Sequence, residues 1–393
     1  VVCGGGSNGG DGRIAARILR EEGLDAVETT AVEQADVIVD ALFGTGFHGE
    51  PRPEAAALID RINSAGAPVV SVDLPSGVDA STGEIAGEAV RATLTVTFHG
   101  PKVGLAIAPG VFHTGEVAIA GIGLEPVETE HRLVTPAILS VVPRRRREDN
   151  KYSAGAVLVV GGAPGMTGAV CLAAEAAFRA DAGYVAVAVP EASLHVVETR
   201  LLEAVKLSWD DAHEALERAG ALALGPGLGR TPEALRLRDG LLSAGDKPVV
   251  LDADALHELE PGDWGGRAVL TPHAGELGRL LGEESSWVNA HRLEAARRGA
   301  ERFGCVCLLK AADTIVAAPG HGALVVVTDA PGLATAGTGD VLTGIVAAFL
   351  AKGVEPRLAA AAAATAHGLA ARRVPQVGLV ASDVVDALPS VLA

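Results

Sequence analysis

The chain has 393 residues, room for two domains at about 150 residues each, and its 49% hydrophobic and 21% charged content excludes disordered, collagen-like and low-complexity classes. A formal charge of −17, from 32 Lys plus Arg against 49 Asp plus Glu, argues against a nucleic-acid partner, whose phosphates would need neutralising. Every apolar run is broken by Gly, Pro or charge before the roughly 18 residues a membrane helix needs, so no membrane partner is expected either.

From Val1 to about Leu124, strand-like apolar runs alternate with helical periodicity. The strands are expected at Val1–Gly4, Ala35–Phe43, Pro68–Leu74, Ala92–Phe98 and Glu116–Ile122, the helices at Asp11–Gly23 and Glu54–Ala65. This order predicts a parallel sheet with helices on both faces. Val1 opens inside the first strand, with no initiator Met and no signal or transit peptide, so an upstream segment is expected to be missing.

The first strand runs into Gly4-Gly5-Gly6-Ser7-Asn8-Gly9-Gly10-Asp11-Gly12, a turn whose bare amides suit an anionic group at a helix N-terminus, with Asn8 and Asp11 adding polar side chains. Two more loops fall at strand C-terminal ends, where doubly wound sheets bind ligands: Asp40–Glu50, containing Gly44-Thr45-Gly46, and Asp73–Asp79. Asn8, Asp40 and Ser76 form an oxygen donor set of low charge, better matched to a monovalent cation than to zinc or calcium.

Glu125–Asn150 breaks the alternation with Pro126, Pro136, Pro143 and the run Arg144–Arg147, which reads as a solvated linker face. The expected domains are therefore 1–124 and 125–393. In the second, strands are expected at Ala156–Gly161, Tyr184–Val189, Ala221–Gly225, Pro248–Asp252, Ala268–Thr271, Cys305–Lys310, Thr314–Ala318 and Ala323–Val327. Helices are expected at Thr167–Ala182, Pro232–Ala244, Gly275–Leu281, Val288–Phe303, Gly339–Leu350 and Pro356–Arg373, giving a larger doubly wound α/β domain.

The sharpest feature there is Thr335-Ala336-Gly337-Thr338-Gly339-Asp340-Val341-Leu342. Its amides would form an anion hole for a transferring phosphoryl group, and Asp340 could take a proton from an attacking hydroxyl; the plainer alternative is an Asp that stabilises a helix dipole. Further polar turns follow other strands: Gly161–Ala169, Gly225-Pro226-Gly227-Leu228-Gly229, Asp252-Ala253-Asp254, Thr271–Glu276 with His273, and Lys310-Ala311-Ala312-Asp313-Thr314. No Walker A, HExxH or GxSxG pattern occurs. Cys3, Cys171, Cys305 and Cys307 lack metal-site spacing and read as reduced thiols of a cytoplasmic protein. Six lysines against 26 arginines, with abundant Ala, point to a GC-rich prokaryotic gene.

These motifs, in this order, resemble the bifunctional NAD(P)H-hydrate repair enzymes, an epimerase domain joined to an ADP-dependent dehydratase. The resemblance rests on the Gly4–Gly12 loop, VDALFGTG at Val39–Gly46, DLPSGVD at Asp73–Asp79, Lys151-Tyr152-Ser153, the GAPGMTGA turn, GPGLG, LDADAL, LTPHAGE, LKAADT and ATAGTGDVL. It implies a Rossmann-like three-layer α/β/α epimerase domain, N-terminally truncated, and a ribokinase-like dehydratase domain. The substrates implied are NADHX and NADPHX, held in the first domain by Asn8, Gly9, Gly10, Asp11, Gly44, Thr45, Gly46 and the rest of the loop to Glu50, with Asp73. It makes Asp73 the acid–base group, Lys102 its partner, and Asn8, Asp40 and Ser76 the K+ ligands.

In the second domain the resemblance implies hydrate contacts at Ala169, Gly229 and His273, with Asp340 as base. ADP would lie at Lys310, Ala311, Ala312, Asp313, Thr314 and Gly339. The phosphoryl chemistry itself calls for Mg2+ on the phosphates, and a homo-oligomer, a tetramer, is the expected assembly. Ser7 replaces the first Asn of the family's NN pair, His257 follows DADAL in place of Asn, and Asp329-Ala330 replaces a polar-Gly pair. A ribokinase-like vitamin or sugar kinase, or a non-catalytic nucleotide-binding module, are the alternatives.

Overall fold

A computed structural model describes residues 1–393 except 33, 34, 126, 263 and 265, and separates into two units, 1–129 with 289–294, and 130–288 with 295–393. In the first unit the apolar runs become β1 (Val2–Cys3), β2 (Ile38–Ala41), β3 (Val69–Val72), β4 (Leu94–Phe98) and β5 (Glu116–Ala120), side by side in that order and all parallel. Alternation along β2 decides what covers each face. Ile38 packs with Leu58, Ile59 and Ile62 of α2 (Pro53–Ser64), while Ala41 faces Gly12 of α1 (Ser7–Glu21). Helices thus lie on both faces, as the alternation predicts.

Helix α1 begins four residues earlier than the periodicity indicates, because the glycine loop winds directly into its first turn. Gly9 permits this: a Cβ there would collide with the Gly4 carbonyl, and one on Gly12 would strike Ala41 and Cys3.

The second unit carries one ten-stranded sheet. Its strands are β6 (Arg132–Leu133), β7 (Ala156–Val160), β8 (Tyr184–Val189), β9 (Val205–Ser208), β10 (Ala221–Leu224), β11 (Val249–Leu251), β12 (Ala268–Leu270), β13 (Val306–Leu309), β14 (Asp313–Ala317) and β15 (Leu324–Val327). The spatial order is β6-β15-β14-β13-β12-β11-β10-β7-β8-β9, parallel except where β14 runs against both neighbours. The remaining helices are α3 (Thr167–Arg179), α4 (Glu191–Arg200), α5 (Ala212–Arg218), α6 (Pro232–Ser243), α7 (Ala274–Leu281), α8 (Ser285–Ala290), α9 (Arg292–Phe303), α10 (Thr338–Ala351), α11 (Pro356–Ala371) and α12 (Ala381–Leu392), with residues 289–294 at the junction of α8 and α9 counted in the first unit.

Two apolar layers sandwich this sheet. Val157, Val159, Val187, Ala223 and Val250 pack under α3, α10, α11 and α12, whereas Leu158, Val160, Leu222, Leu224 and Leu251 face α5, α6 and Phe303. Burial on both faces is why these strands read as continuous apolar runs. The Ala359–Ala364 stretch is wholly buried in α11, where a small side chain lets helices approach closely.

Several elements depart from the sequence expectation. The Glu125–Asn150 stretch is more than a linker: β6 pairs with β15, and Ile138, Leu139, Val141 and Val142 pack on the core, leaving Arg144–Arg147 exposed. Pro126, placed in that stretch, lies outside the described residues. The helix expected over Val288–Phe303 breaks at His291 into α8 and α9. The sequence expectation also lacks β9, α4, α5 and α12: α4 has almost no apolar periodicity, β9 and α5 are only four and seven residues long, and Pro389 sits inside the otherwise amphipathic α12. No helix among the described residues is long and apolar enough to cross a membrane.

Candidate active sites

In the first unit the polar loops open from the C-terminal ends of β1, β2 and β3. Asp40 on β2 is fully buried. Its Oδ1 accepts from Ser76 Oγ (2.6 Å) and Leu42 N (3.3 Å), and its Oδ2 from Ser71 Oγ and Ser76 N, both 2.9 Å. Burial pushes its pKa up and these hydrogen bonds pull against it, but no cationic side chain among the described residues pairs with it. Asn8, in the first turn of α1, donates from Nδ2 to the Phe43 carbonyl (2.7 Å), and Phe43 N donates to Ser76 Oγ (2.9 Å). Asn8, Asp40 and Ser76 therefore gather around one loop. One buried carboxylate without a counter-charge, among neutral oxygens, fits a singly charged cation.

Asp73 follows β3 in a left-handed conformation (φ 68), which aims its carboxylate along the sheet edge. Its Oδ1 accepts from Lys102 Nζ (2.6 Å), Thr97 Oγ1 (3.2 Å) and Phe98 N (3.2 Å). Lys102 is itself anchored, donating to Thr97 Oγ1 (2.9 Å) and the Phe98 carbonyl (2.7 Å). Oδ2 has no hydrogen bond among the described residues, so one oxygen is fixed and the other open. Gly9 is buried, Gly10 half-buried and Asp11 exposed on α1. Gly44 packs on the Asn8 side chain, with Thr45 and Gly46 exposed beyond it. Phe43 stacks on Phe47 at 4.5 Å, and His48 Nδ1 meets Asp79 Oδ2 at 2.7 Å, bracing the loop. Nothing in the sequence marks Thr97 and Ser71: a polar residue inside a strand signals nothing until its burial is known.

In the second unit the turns after β7, β10, β11, β12 and β13 share one edge of the sheet. Gly161 and Gly225 are possible only as glycine, since a Cβ would meet the carbonyls of Pro226 and Asp252 respectively. Gly229 N donates to Asp254 Oδ2 (2.9 Å), and Arg230 Nε to its Oδ1 (2.9 Å). Ala169 is half-buried in the first turn of α3. His273 caps α7, its Nδ1 accepting from the amides of Gly275 (3.0 Å) and Glu276 (3.3 Å). That fixes the neutral ring's proton on Nε2. Ala311 and Ala312 form the exposed turn between β13 and β14, into which Thr314 Oγ1 donates at the Ala311 carbonyl (3.3 Å), while Asp313 is buried.

Gly337, at φ 89, turns the chain into α10, so that Thr338, Gly339 and Asp340 form its first turn. Burial, then the nearby charge of Asp252, pushes the Asp340 pKa up to about 7, against the pull of Lys310. Lys310 Nζ pairs with Asp252 Oδ1 (2.7 Å), whose Oδ2 accepts from Thr343 Oγ1 (2.8 Å). Burial pulls the Lys310 pKa down, but Asp252, Glu276 and Asp340 outweigh it and the ammonium is retained. Asp252 was legible only as part of a polar turn, and Thr343 carried no signal in an apolar helix.

The family model described as NAD(P)H-hydrate dehydratase matches residues 157–390, and that described as YjeF-related protein N-terminus matches residues 25–104. The bifunctional NAD(P)H-hydrate repair enzyme Nnr of Moorella thermoacetica is 39% identical over 460 residues, covering 100% of this chain and 87% of that protein. A ribokinase-like superfamily protein from Enterococcus faecalis superposes with a TM-score of 0.62 at 24% identity, covering 68% of this chain and 98% of its own, a likeness of fold. The ADP/ATP-dependent NAD(P)H-hydrate dehydratase from Bacillus subtilis, crystallised with ATP and Mg2+, superposes with a TM-score of 0.60 at 30% identity, covering 65% of this chain and 96% of its own. With an N-terminal parallel sheet, a ribokinase-like second unit and relatives matched along its whole length, the chain belongs to the family of bifunctional NAD(P)H-hydrate repair enzymes.

Proposed function

We propose that the chain repairs hydrated nicotinamide cofactors: residues 1–124 interconvert the R and S forms of NADHX and NADPHX, and residues 125–393 dehydrate the S form with ADP. The observation that carries this reading is Asp340, a carboxyl pushed up to about 7 at the head of a glycine turn and helix N-terminus. A base with that proton affinity suits work near neutral pH. Asp340 takes the proton of the ring hydroxyl as its oxygen attacks the β-phosphorus of ADP. The bond from that phosphorus to the bridging oxygen breaks, and AMP leaves with the electron pair. Amides of Gly337–Gly339 stabilise the charge on the phosphoryl oxygens. Phosphate then leaves its ring carbon while a proton leaves the neighbouring carbon, restoring the double bond to which water had added. Hydroxide is a poor leaving group, and phosphorylation removes that barrier.

Lys310, Ala311, Ala312, Asp313, Thr314 and Gly339 line the nucleotide in this reading, and Ala169, Gly229 and His273 the hydrate, with His273 Nε2 lying 3.4 Å from Glu276 Oε1. Mg2+ would be held by the phosphates and would neutralise their charge; among the described residues no group of three metal-ligating side chains gathers at this turn. In the first unit Asp73 moves the proton for epimerisation through its open Oδ2, with Lys102 holding Oδ1, against a substrate bound by Asn8–Asp11 and the 44–50 loop. Asn8, Asp40 and Ser76 would hold K+, which would supply the positive charge that buried Asp40 lacks. The four unpaired cysteines fit the reducing cytoplasm.

The test is the near-ultraviolet absorbance of the reduced ring after mixing purified S-NADHX, Mg2+ and either ADP or ATP with the protein and with Asp340→Asn. A rise with ADP that the variant loses is expected. No rise with either nucleotide would overturn the dehydratase reading and favour a kinase or a binding module.

A further inference from the structure

Beneath the Gly337–Asp340 turn lies a charge that the chemistry above leaves unused, paired with Lys310. Asp252, at the end of β11, is 2% exposed, and both its oxygens are committed, Oδ1 to Lys310 Nζ (2.7 Å) and Oδ2 to Thr343 Oγ1 (2.8 Å). Lys310 follows β13, two strands from β11 along the same sheet edge, and points at the turn: a Cβ added to Gly339 would lie 3.4 Å from Lys310 Nζ and 3.8 Å from Asp252 Oδ2. A glycine at 339 therefore leaves the ammonium an open line to whatever the turn binds.

We propose that Asp252 is a positioning residue for phosphoryl transfer: clamped by Thr343, it holds the Lys310 ammonium against the Gly337–Asp340 turn, where the transferring phosphoryl group arrives. This inference rests on the dehydratase reading of that turn.

A buried ion pair is no argument for stability in itself, since apolar residues of the same volume commonly do as well. Its place at the ligand edge gives it two other effects. It fixes a flexible lysine as a point charge at the site, and it sets a balance of charge on the base. Asp340 is faced by Asp252 and Asp254, which disfavour its ionised form, and by Lys310, which favours it. Lys310 is faced in turn by Asp252, Glu276 and Asp340, and by His367 of α11, which burial pushes down to about 4 and so leaves neutral at working pH. Asp252 and Lys310 thus act on the base with opposite signs.

That opposition gives a test that a merely structural pair would not pass. In protein labelled with 13C at the aspartate carboxyl, the Asp340 resonance is the one missing from Asp340→Asn, and its titration midpoint is read in wild type, Asp252→Asn and Lys310→Met. Asp252→Asn should move the midpoint down by about one pH unit and Lys310→Met should move it up by a similar amount. The acid limb of kcat/KM for ADP-driven dehydration should follow in Asp252→Asn. Thr343→Val, which keeps every charge, should lower kcat several-fold with the KM for hydrate unchanged. Midpoints that stay at the wild-type value in both charge variants, or a Thr343→Val enzyme with wild-type kcat, would overturn the proposal. Should Asp252→Asn fail to fold, Lys310→Met and Thr343→Val still decide it. Wild type that turns over no hydrate would instead sink the dehydratase reading, while the titration still reports whether the charges are coupled.

Discussion

The two sheets hold their candidate sites in different ways. In the second unit all five residues of β7 and all five of β14 are buried, and the glycine turns stand on the rim of a core closed on both faces. In the first unit, four of the five residues of β5 are exposed and the fifth is half-buried; Ile14 and Ile18 of α1 are 49% and 48% exposed, and Ile119 of β5 is 55% exposed. Its site is held by buried polar groups instead, Asp40 with Ser71 and Ser76, and Asp73 with Thr97 and Lys102. An apolar core loses stability in increments as methylenes are removed, whereas a buried polar network fails when one member leaves another unsatisfied. The packing around the first site should be brittle, and the apolar core beneath the second tolerant everywhere except at its own Asp252–Lys310–Thr343 network.

The largest effects come from separating the two reactions. Asp340→Asn should lower dehydration of the S hydrate by about 10²–10⁴-fold, the range for loss of a general base, and leave epimerisation within twofold. Asp73→Asn should do the reverse, so that S hydrate is consumed at the wild-type rate while R hydrate persists; chromatographic separation of the two forms measures both. If Asp73→Asn slowed dehydration of pure S hydrate, the sites would not be independent and the contrast would fail.

Much of this was legible in the sequence, for physical reasons that differ by element. Strands buried on both faces, such as Ala156–Val160 and Val306–Leu309, announce themselves as apolar runs closed by glycine or a polar residue. Candidate residues that interrupt a pattern, such as Asn8, Asp40, Asp73 and Asp340, stand out for the same reason. Residues whose role depends on which strand lies alongside do not. Asp252 and Thr343 are 91 positions apart, and only the packing of α10 over the sheet brings them to 2.8 Å. Lys102, which meets Asp73 from 29 positions away across β4, has no pattern of its own and is reached in the sequence only through the family resemblance. The short strand β6 was missed because two exposed residues carry no periodicity; only pairing with β15 defines them.

Stability separates the units next. Phe349 is fully buried among α3, α10 and α11, and Phe349→Ala should cost about 3–5 kcal/mol. Ile14→Ser, on the half-exposed face of α1, should stay within about 0.5 kcal/mol. All three tryptophans, Trp209, Trp264 and Trp287, lie in the second unit, so fluorescence-detected urea unfolding follows that unit alone and circular dichroism follows both. A cost of about 2 kcal/mol or more for Ile14→Ser, the scale of fully burying an Ile side chain at about 25 cal/mol per Å², would mean that this face is covered in solution, and the contrast between the sheets would narrow.

An effect smaller than that of Phe349→Ala probes the brittle site through its charge. Burial raises the Asp40 pKa in the folded state, so the proton is favoured there. Stability from that proton is complete below the unfolded carboxylate value and is lost as pH rises through the raised folded value. K+ can offset the loss only where the carboxylate is ionised. The gain in stability from K+ should therefore be near zero at acid pH, grow as pH rises, and reach about 2.7 kcal/mol with K+ at a hundred times its dissociation constant. Dichroism-detected melting in potassium against tetramethylammonium chloride at equal ionic strength measures it, the transition of the second unit being assigned by its tryptophan fluorescence. Asp40→Asn, isosteric and neutral, should lose both the pH-dependent decline and the response to K+. An equal response to K+ at every pH, or one that survives in Asp40→Asn, would show that the ion acts somewhere other than this carboxylate, and the polar network would then have to tolerate a buried charge unaided.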